Sequence, residues 1–194
     1  MPVKIPRRAI FQRVDARQQR AQGGHPNESN DCTVRALATA AGMRYEDAHV
    51  IMQLSGRRAL RGHSPMQGLE VGVQLGMLNF EKISLRAKYP DADTVGQDAG
   101  LFTEEELKDK RARFVPRTAS GIGGYWMRGH WTYTNQPKKR VTLSMVLKKL
   151  PKGRFILATN THAFAVIDGV VYDSRPQALS CSIVLCYRIV TEAI

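Results

Sequence analysis

The stretch that most restricts the fold lies late in the chain: His162-Ala-Phe-Ala-Val-Ile-Asp168-Gly169-Val-Val-Tyr-Asp173. Two apolar segments flank an Asp-Gly pair, the strongest short signal for a two-residue hairpin loop. With Asp168 and Gly169 as that loop, the register follows. Ile167 faces Val170, Val166 faces Val171, Phe164 faces Asp173 and His162 faces Arg175. Strand side chains alternate between faces, so His162 and Asp173 share a face as diagonal neighbours. An imidazole–carboxylate hydrogen bond spans that separation once strand twist is included. Asp168 is too far to be that partner, because several strand residues at about 3.3 Å each intervene.

Upstream, the period is helical. In Cys32-Thr-Val-Arg-Ala-Leu-Ala-Thr-Ala-Ala-Gly42, the apolar residues Val34, Leu37, Ala38 and Ala41 recur at three-and-four spacing. Asn30 or Asp31 suits the N-cap and Gly42 the position just past the C-terminus, so Cys32 falls in the first turn. Further helices are expected over about 45–54, 65–75 and 141–150, stopped by Gly56, Gly76 and Pro151. Strands are expected over 154–159, 162–167, 170–173 and 183–190. Helices first and strands last predict an α+β fold, with N-terminal helices packed on a C-terminal antiparallel β-sheet. Residues 1–24, rich in Arg and Gln, read as a basic, solvated, flexible arm, and residues 25–194 as the domain. Within it, 89–135 reads as an insertion, with helical charge content over 104–113 and a cluster of Tyr125, Trp126, Trp131 and Tyr133.

The 194 residues suffice for one domain with a real core. No apolar run is long enough to span a membrane, and the basic start lacks the apolar stretch of a secretory signal. The formal net charge of +12 implies attraction to nucleic acid, an anionic surface or an acidic partner. Arg7, Arg8, Arg13, Arg17 and Arg20 form one cluster. Lys138, Lys139 and Arg140 form a second, and Lys148, Lys149 and Lys152 a third. Each reads equally as a solvated face. The 3 cysteines, Cys32, Cys181 and Cys186, argue for a reducing compartment and against a disulfide framework. Cys181 and Cys186 fall in a strand-like run on opposite faces and read as small buried hydrophobes. His25, His49, His63 and His130 lack the paired spacing of a zinc site, and no cofactor is called for.

Three residues carry chemistry. A thiol at a helix N-terminus has its pKa lowered and meets unpaired N–H groups that suit an anion. Cys32 is placed for that, or is simply buried. His162 is a base or a satisfied strand histidine. Asp173 orients that histidine, or is a strand-end acid satisfied by Arg175 or a turn.

Together, Asn30-Asp31-Cys32-Thr-Val-Arg-Ala-Leu-Ala and the run from Gly153-Arg-Phe-Ile-Leu-Ala to His162 and Asp173 resemble the papain-like cysteine peptidase superfamily. The likeness is nearest to small peptidase-like proteins of tailed bacteriophages and more distant to C39-type peptidases. It covers about 27–54 and 141–174. It implies a papain-like fold, with Cys32 as nucleophile, His162 as base, Asp173 as the orienting acid and no cofactor. The substrate would be a protein or peptide, and the setting a host cytoplasm or a virion. Many relatives carry a Gln a few residues before the nucleophile as oxyanion donor. Here the upstream amides are Asn27 and then Asn30, with Gln22 reaching only if the arm folds back. The competing expectation is a catalytically degenerate basic phage protein that binds nucleic acid or an acidic host partner, with Trp126 and Trp131 available for base stacking.

Overall fold

A computed structural model describes residues 9–58, 60–85, 100–108, 113–115, 124–127, 130–132 and 139–190. The chain forms two compact units, Met1–Ile83 with Thr142–Ile194, and Ser84–Val141.

The first unit opens with β1 (Phe11–Arg13) and α1 (Ala16–Gln22), then α2 (Cys32–Ala41), α3 (Tyr45–Leu54), α4 (Pro65–Gln74) and β2 (Asn79–Lys82). The second unit supplies α5 (Glu104–Leu107), β3 (Arg113–Val115), β4 (Gly124–Met127) and β5 (His130–Thr132). The first resumes with α6 (Leu143–Lys149), β6 (Arg154–Ala158), β7 (Ala163–Ile167), β8 (Val170–Asp173) and β9 (Leu185–Val190).

The hairpin forms in the expected register. Ile167 pairs with Val170, Val166 with Val171 and Ala165 with Tyr172. Its loop needs positive φ at both positions, and Asp168 (48°) and Gly169 (78°) supply it. The sheet has six strands in the order β1-β8-β7-β6-β9-β2. It is mixed rather than antiparallel throughout. The four C-terminal strands and β2 pair antiparallel, but β1 joins β8 in parallel, with Arg13 opposite Asp173.

The expected basic arm therefore folds from residue 9 onward; residues 1–8 lie outside the described residues. β1 gains ladder hydrogen bonds along the open edge of β8, and Val14 N–H extends them to the Asp173 carbonyl at 2.8 Å. Asp15 then caps α1 by accepting from the N–H groups of Arg17 and Gln18. The last strand starts at Leu185, so Cys181 sits in the preceding loop and only Cys186 is a strand residue.

The core forms where α2 lies on the sheet. Val34, Ala36, Leu37, Ala38 and Ala40 pack with Ile156, Ala158, Ala163, Ala165, Tyr187 and Ile189. The alanines on both surfaces let helix and sheet approach closely. The opposite sheet face carries Phe155, Leu157, Phe164 and Val166, also buried, so the central strands are covered on both sides. Arg154 fixes the far end of α2, its Nε donating to the Ala40 carbonyl at 2.5 Å and Nη2 to that of Thr39 at 3.0 Å. A cation there also offsets the negative end of the helix dipole. α3 and α4 meet at Gly68, where a Cβ would lie 2.0 Å from the Met52 sulfur.

In the second unit, β3, β4 and β5 form an antiparallel sheet in which Trp126 pairs with Trp131. α5 is a single turn with a Thr103–Glu106 capping box. It is shorter than the 104–113 reading, and residues 109–112 lie outside the described residues, as do 86–99, 116–123, 128, 129 and 133–138.

Candidate active site

Cys32 is the first residue of α2. Asp31 takes the N-cap position, yet its carboxylate makes no capping bond. Its oxygens are used elsewhere: Arg35 Nε donates to Oδ1 at 3.1 Å and the Tyr45 hydroxyl to Oδ2 at 2.9 Å, with Arg20 Nε 3.9 Å away. The first-turn N–H groups of α2 therefore lack a side-chain cap, and they lie beside the thiol. The positive end of the helix dipole is left for the sulfur or for a bound anion.

His162 sits immediately before β7. Thr159 clamps its backbone, accepting from His162 N–H at 3.1 Å and donating its own N–H to the His162 carbonyl at 2.8 Å. The imidazole Nε2 lies 2.6 Å from Asp173 Oδ2. The Cys32 thiol and the imidazole act on each other, each favouring the charged form of its partner.

Asp173, at the end of β8, is held on all sides. Gln177 Nε2 donates to Oδ2 at 2.6 Å, Ser174 N–H donates to Oδ1 at 2.7 Å, and Arg35 Nη1 lies 3.6 Å from Oδ1. Burial pushes its pKa up, but the His162 bond and charge and these donors outweigh burial and hold it below the usual carboxylate range.

The same balance governs the thiol. Burial raises the Cys32 pKa, while the His162 bond, the Ala163 N–H and the charges of His162 and Arg35 lower it, and the net shift is downward. The Asp173 bond, and then the Cys32 bond, raise His162 to about 9. Both shifts favour a thiolate–imidazolium pair.

Arg35 is the member that sequence reading missed. One turn along α2 from Asp31, it spans the Asp31 and Asp173 carboxylates with its side chain only 10% exposed. Two buried carboxylates and a thiolate would repel one another without a cation between them. The one available signal was an arginine at the i+4 position from an acid on an otherwise apolar helix.

Asn30, at a φ of 53°, gives its amide to the Leu60 carbonyl at 3.0 Å. Asn27 is exposed, as is Gln22 at the end of α1. Gln19, on the inner side of α1, was not singled out, yet its Oε1 is buried without a partner. Neighbouring Arg20 reaches both Asp31 and the Glu28 carbonyl, which ties α1 to the loop before the nucleophile.

A second buried ionic group holds that loop. Glu28 accepts from Arg57, from the N–H groups of Leu60 (2.8 Å) and Ser29 (3.0 Å), and lies 3.1 Å from His49 Nε2. Burial pushes Glu28 up, but these partners prevail and bring it to about 2. His25 stacks on His49 with ring centroids 3.7 Å apart. Among the described residues, no three His, Cys, Asp or Glu side chains group to hold a metal ion, and no helix is long and apolar enough to cross a membrane.

Cys186 is buried and Cys181 half-buried. No family model, curated protein or solved structure matches this chain.

Proposed function

We propose that the chain is a papain-like thiol hydrolase that cleaves a peptide or isopeptide bond through an acyl-enzyme. The observation that carries this reading is the 2.6 Å His162–Asp173 bond beside a Cys32 thiol coupled to the same imidazole, at an N-terminus of α2 that no side chain caps.

In the reaction, the Cys32 thiolate attacks the substrate carbonyl carbon and forms a C–S bond. The charge that develops on the carbonyl oxygen meets the Cys32 N–H. The C–N bond then breaks, and the His162 imidazolium gives its proton to the departing amine. Water next attacks the thioester while His162 takes its proton. The C–S bond breaks, the acid product leaves, and the thiolate–imidazolium pair is restored. Asp173 keeps the imidazole in the productive tautomer throughout.

Alkylation of the full-length chain with iodoacetamide tests the reading. Mass spectrometry should place the label on Cys32, with a rate at neutral pH well above that of an ordinary thiol and lost in His162→Ala. Slow labelling that His162→Ala leaves unchanged would overturn it.

The net charge of +12 favours a second reading, a basic protein that keeps the fold and binds nucleic acid or an acidic partner. It predicts salt-sensitive binding that Cys32→Ala leaves intact.

A further inference from the structure

We infer that the substrate of this site is an acidic segment, carrying Asp or Glu beside the scissile bond. The inference rests on the thiol-hydrolase reading and deepens it.

Cys32, His162 and Asp173 all lie at one end of the sheet, where β8 ends and β7 begins. The segments that converge there carry an unbalanced set of exposed charges. Arg13 ends β1 opposite Asp173, and Arg17 lies in the first turn of α1. Arg175 follows Asp173 by two residues. Arg58 and Arg61 flank Leu60, whose carbonyl holds the Asn30 amide and whose N–H holds Glu28. All five are exposed. Three of the acids on the same segments are not free to neutralise them: Glu28, Asp31 and Asp173 are buried and committed to Arg57, Arg35 and His162. Asp15, the exposed cap of α1, offsets part of the charge of Arg13 and Arg17 and leaves Arg58, Arg61 and Arg175 without an acid on their segments.

A rim of one sign concentrates an oppositely charged ligand near the thiol and speeds its arrival by roughly 10- to 1,000-fold at low salt. Every member is arginine, whose planar fork pairs with carboxylates in bidentate fashion. A nucleophilic thiolate needs a carbonyl carbon to attack, which an acidic peptide provides and a phosphodiester does not.

The test uses the full-length chain and three peptidyl vinyl sulfones that differ only in carrying Glu, Gln or Lys beside the electrophile. Iodoacetamide is run in parallel to report the thiol itself. The Glu probe should label Cys32 about tenfold faster than the Gln probe in about 0.05 M salt, with the Lys probe slowest. That preference should shrink in about 0.5 M salt, where charges are screened within a few ångströms. In the combined Arg58→Gln, Arg61→Gln, Arg175→Gln variant, the Glu-probe rate divided by the iodoacetamide rate should fall about tenfold. Equal Glu and Gln rates, with iodoacetamide labelling still fast and dependent on His162, would overturn the acidic substrate and leave the hydrolase reading standing. Slow iodoacetamide labelling that ignores His162 would remove both. Tighter binding of a single-stranded oligonucleotide than of the Glu peptide would assign the rim to nucleic acid and also overturn the inference.

Discussion

Cys32 and Cys186 are both drawn out of water, yet burial decides the state of only one. Cys186, on β9, is 1% exposed, and burial pushes its thiol up to about 12. Arg188 acts against that shift and Glu81 with it, and neither reverses it. Around Cys32, burial has the same sign and is overruled. The difference lies in partners: an imidazole, a backbone N–H at the start of β7 and a buried arginine. A sequestered thiol is inert until groups that stabilise its anion are built against it.

The largest way to break this contrast is His162→Ala. Alkylation of Cys32 at pH 7 should fall by about 100-fold or more, while Cys186 stays unlabelled in the folded chain. Equal labelling of the two cysteines would erase the distinction.

Arg35→Met attacks the cation that both carboxylates share. Leaving Asp31 and Asp173 buried without it should cost about 3 kcal/mol, read as a lower urea midpoint, and should raise the pH at which Cys32 begins to alkylate. An unchanged midpoint would remove Arg35 from the supporting structure.

Asp173→Asn removes the first cause of the raised His162 pKa. Imidazolium is lost as pH rises through the folded value of about 9, so the wild-type activity profile should decline there. In the variant, that alkaline limb should move toward 6.5, with about a tenfold loss of rate at pH 8. A limb that stays in place would assign the raised pKa to the thiolate alone.

Cys186→Ala gives the smallest effect: about 1 kcal/mol of stability from a small core void, with Cys32 labelling unchanged.

Acid should act elsewhere. Glu28 is depressed from 4.5 to about 2, so its contribution to stability is present above 4.5 and is lost as pH falls toward 2.

Legibility in the sequence followed the locality of the signal. The Asp168-Gly169 turn and strand alternation give the His162–Asp173 pairing, because a two-residue loop leaves little freedom in register. Helical spacing with Gly42 after it gives α2. What stayed hidden depends on distant partners. β1 is three residues in an Arg/Gln-rich run, and only the open edge of β8 makes it a strand. β2 is mostly polar and exposed apart from Phe80, and is stabilised by pairing with β9. Asp31 has the sequence of a helix cap and does not act as one, since Arg35 and Tyr45, one of them 14 residues away, claim its oxygens. Asn30 looked free to face the thiol, and the Leu60 carbonyl, 30 residues on, takes its amide.

The order in which the ribosome delivers these groups has a consequence of its own. Cys32 emerges well before His162 and Asp173, and the segment that pins Asp173 from the other side, at Val14, emerges before all three. Until the hairpin that carries the imidazole and its carboxylate has been made, the sulfur has none of the partners that lower its pKa.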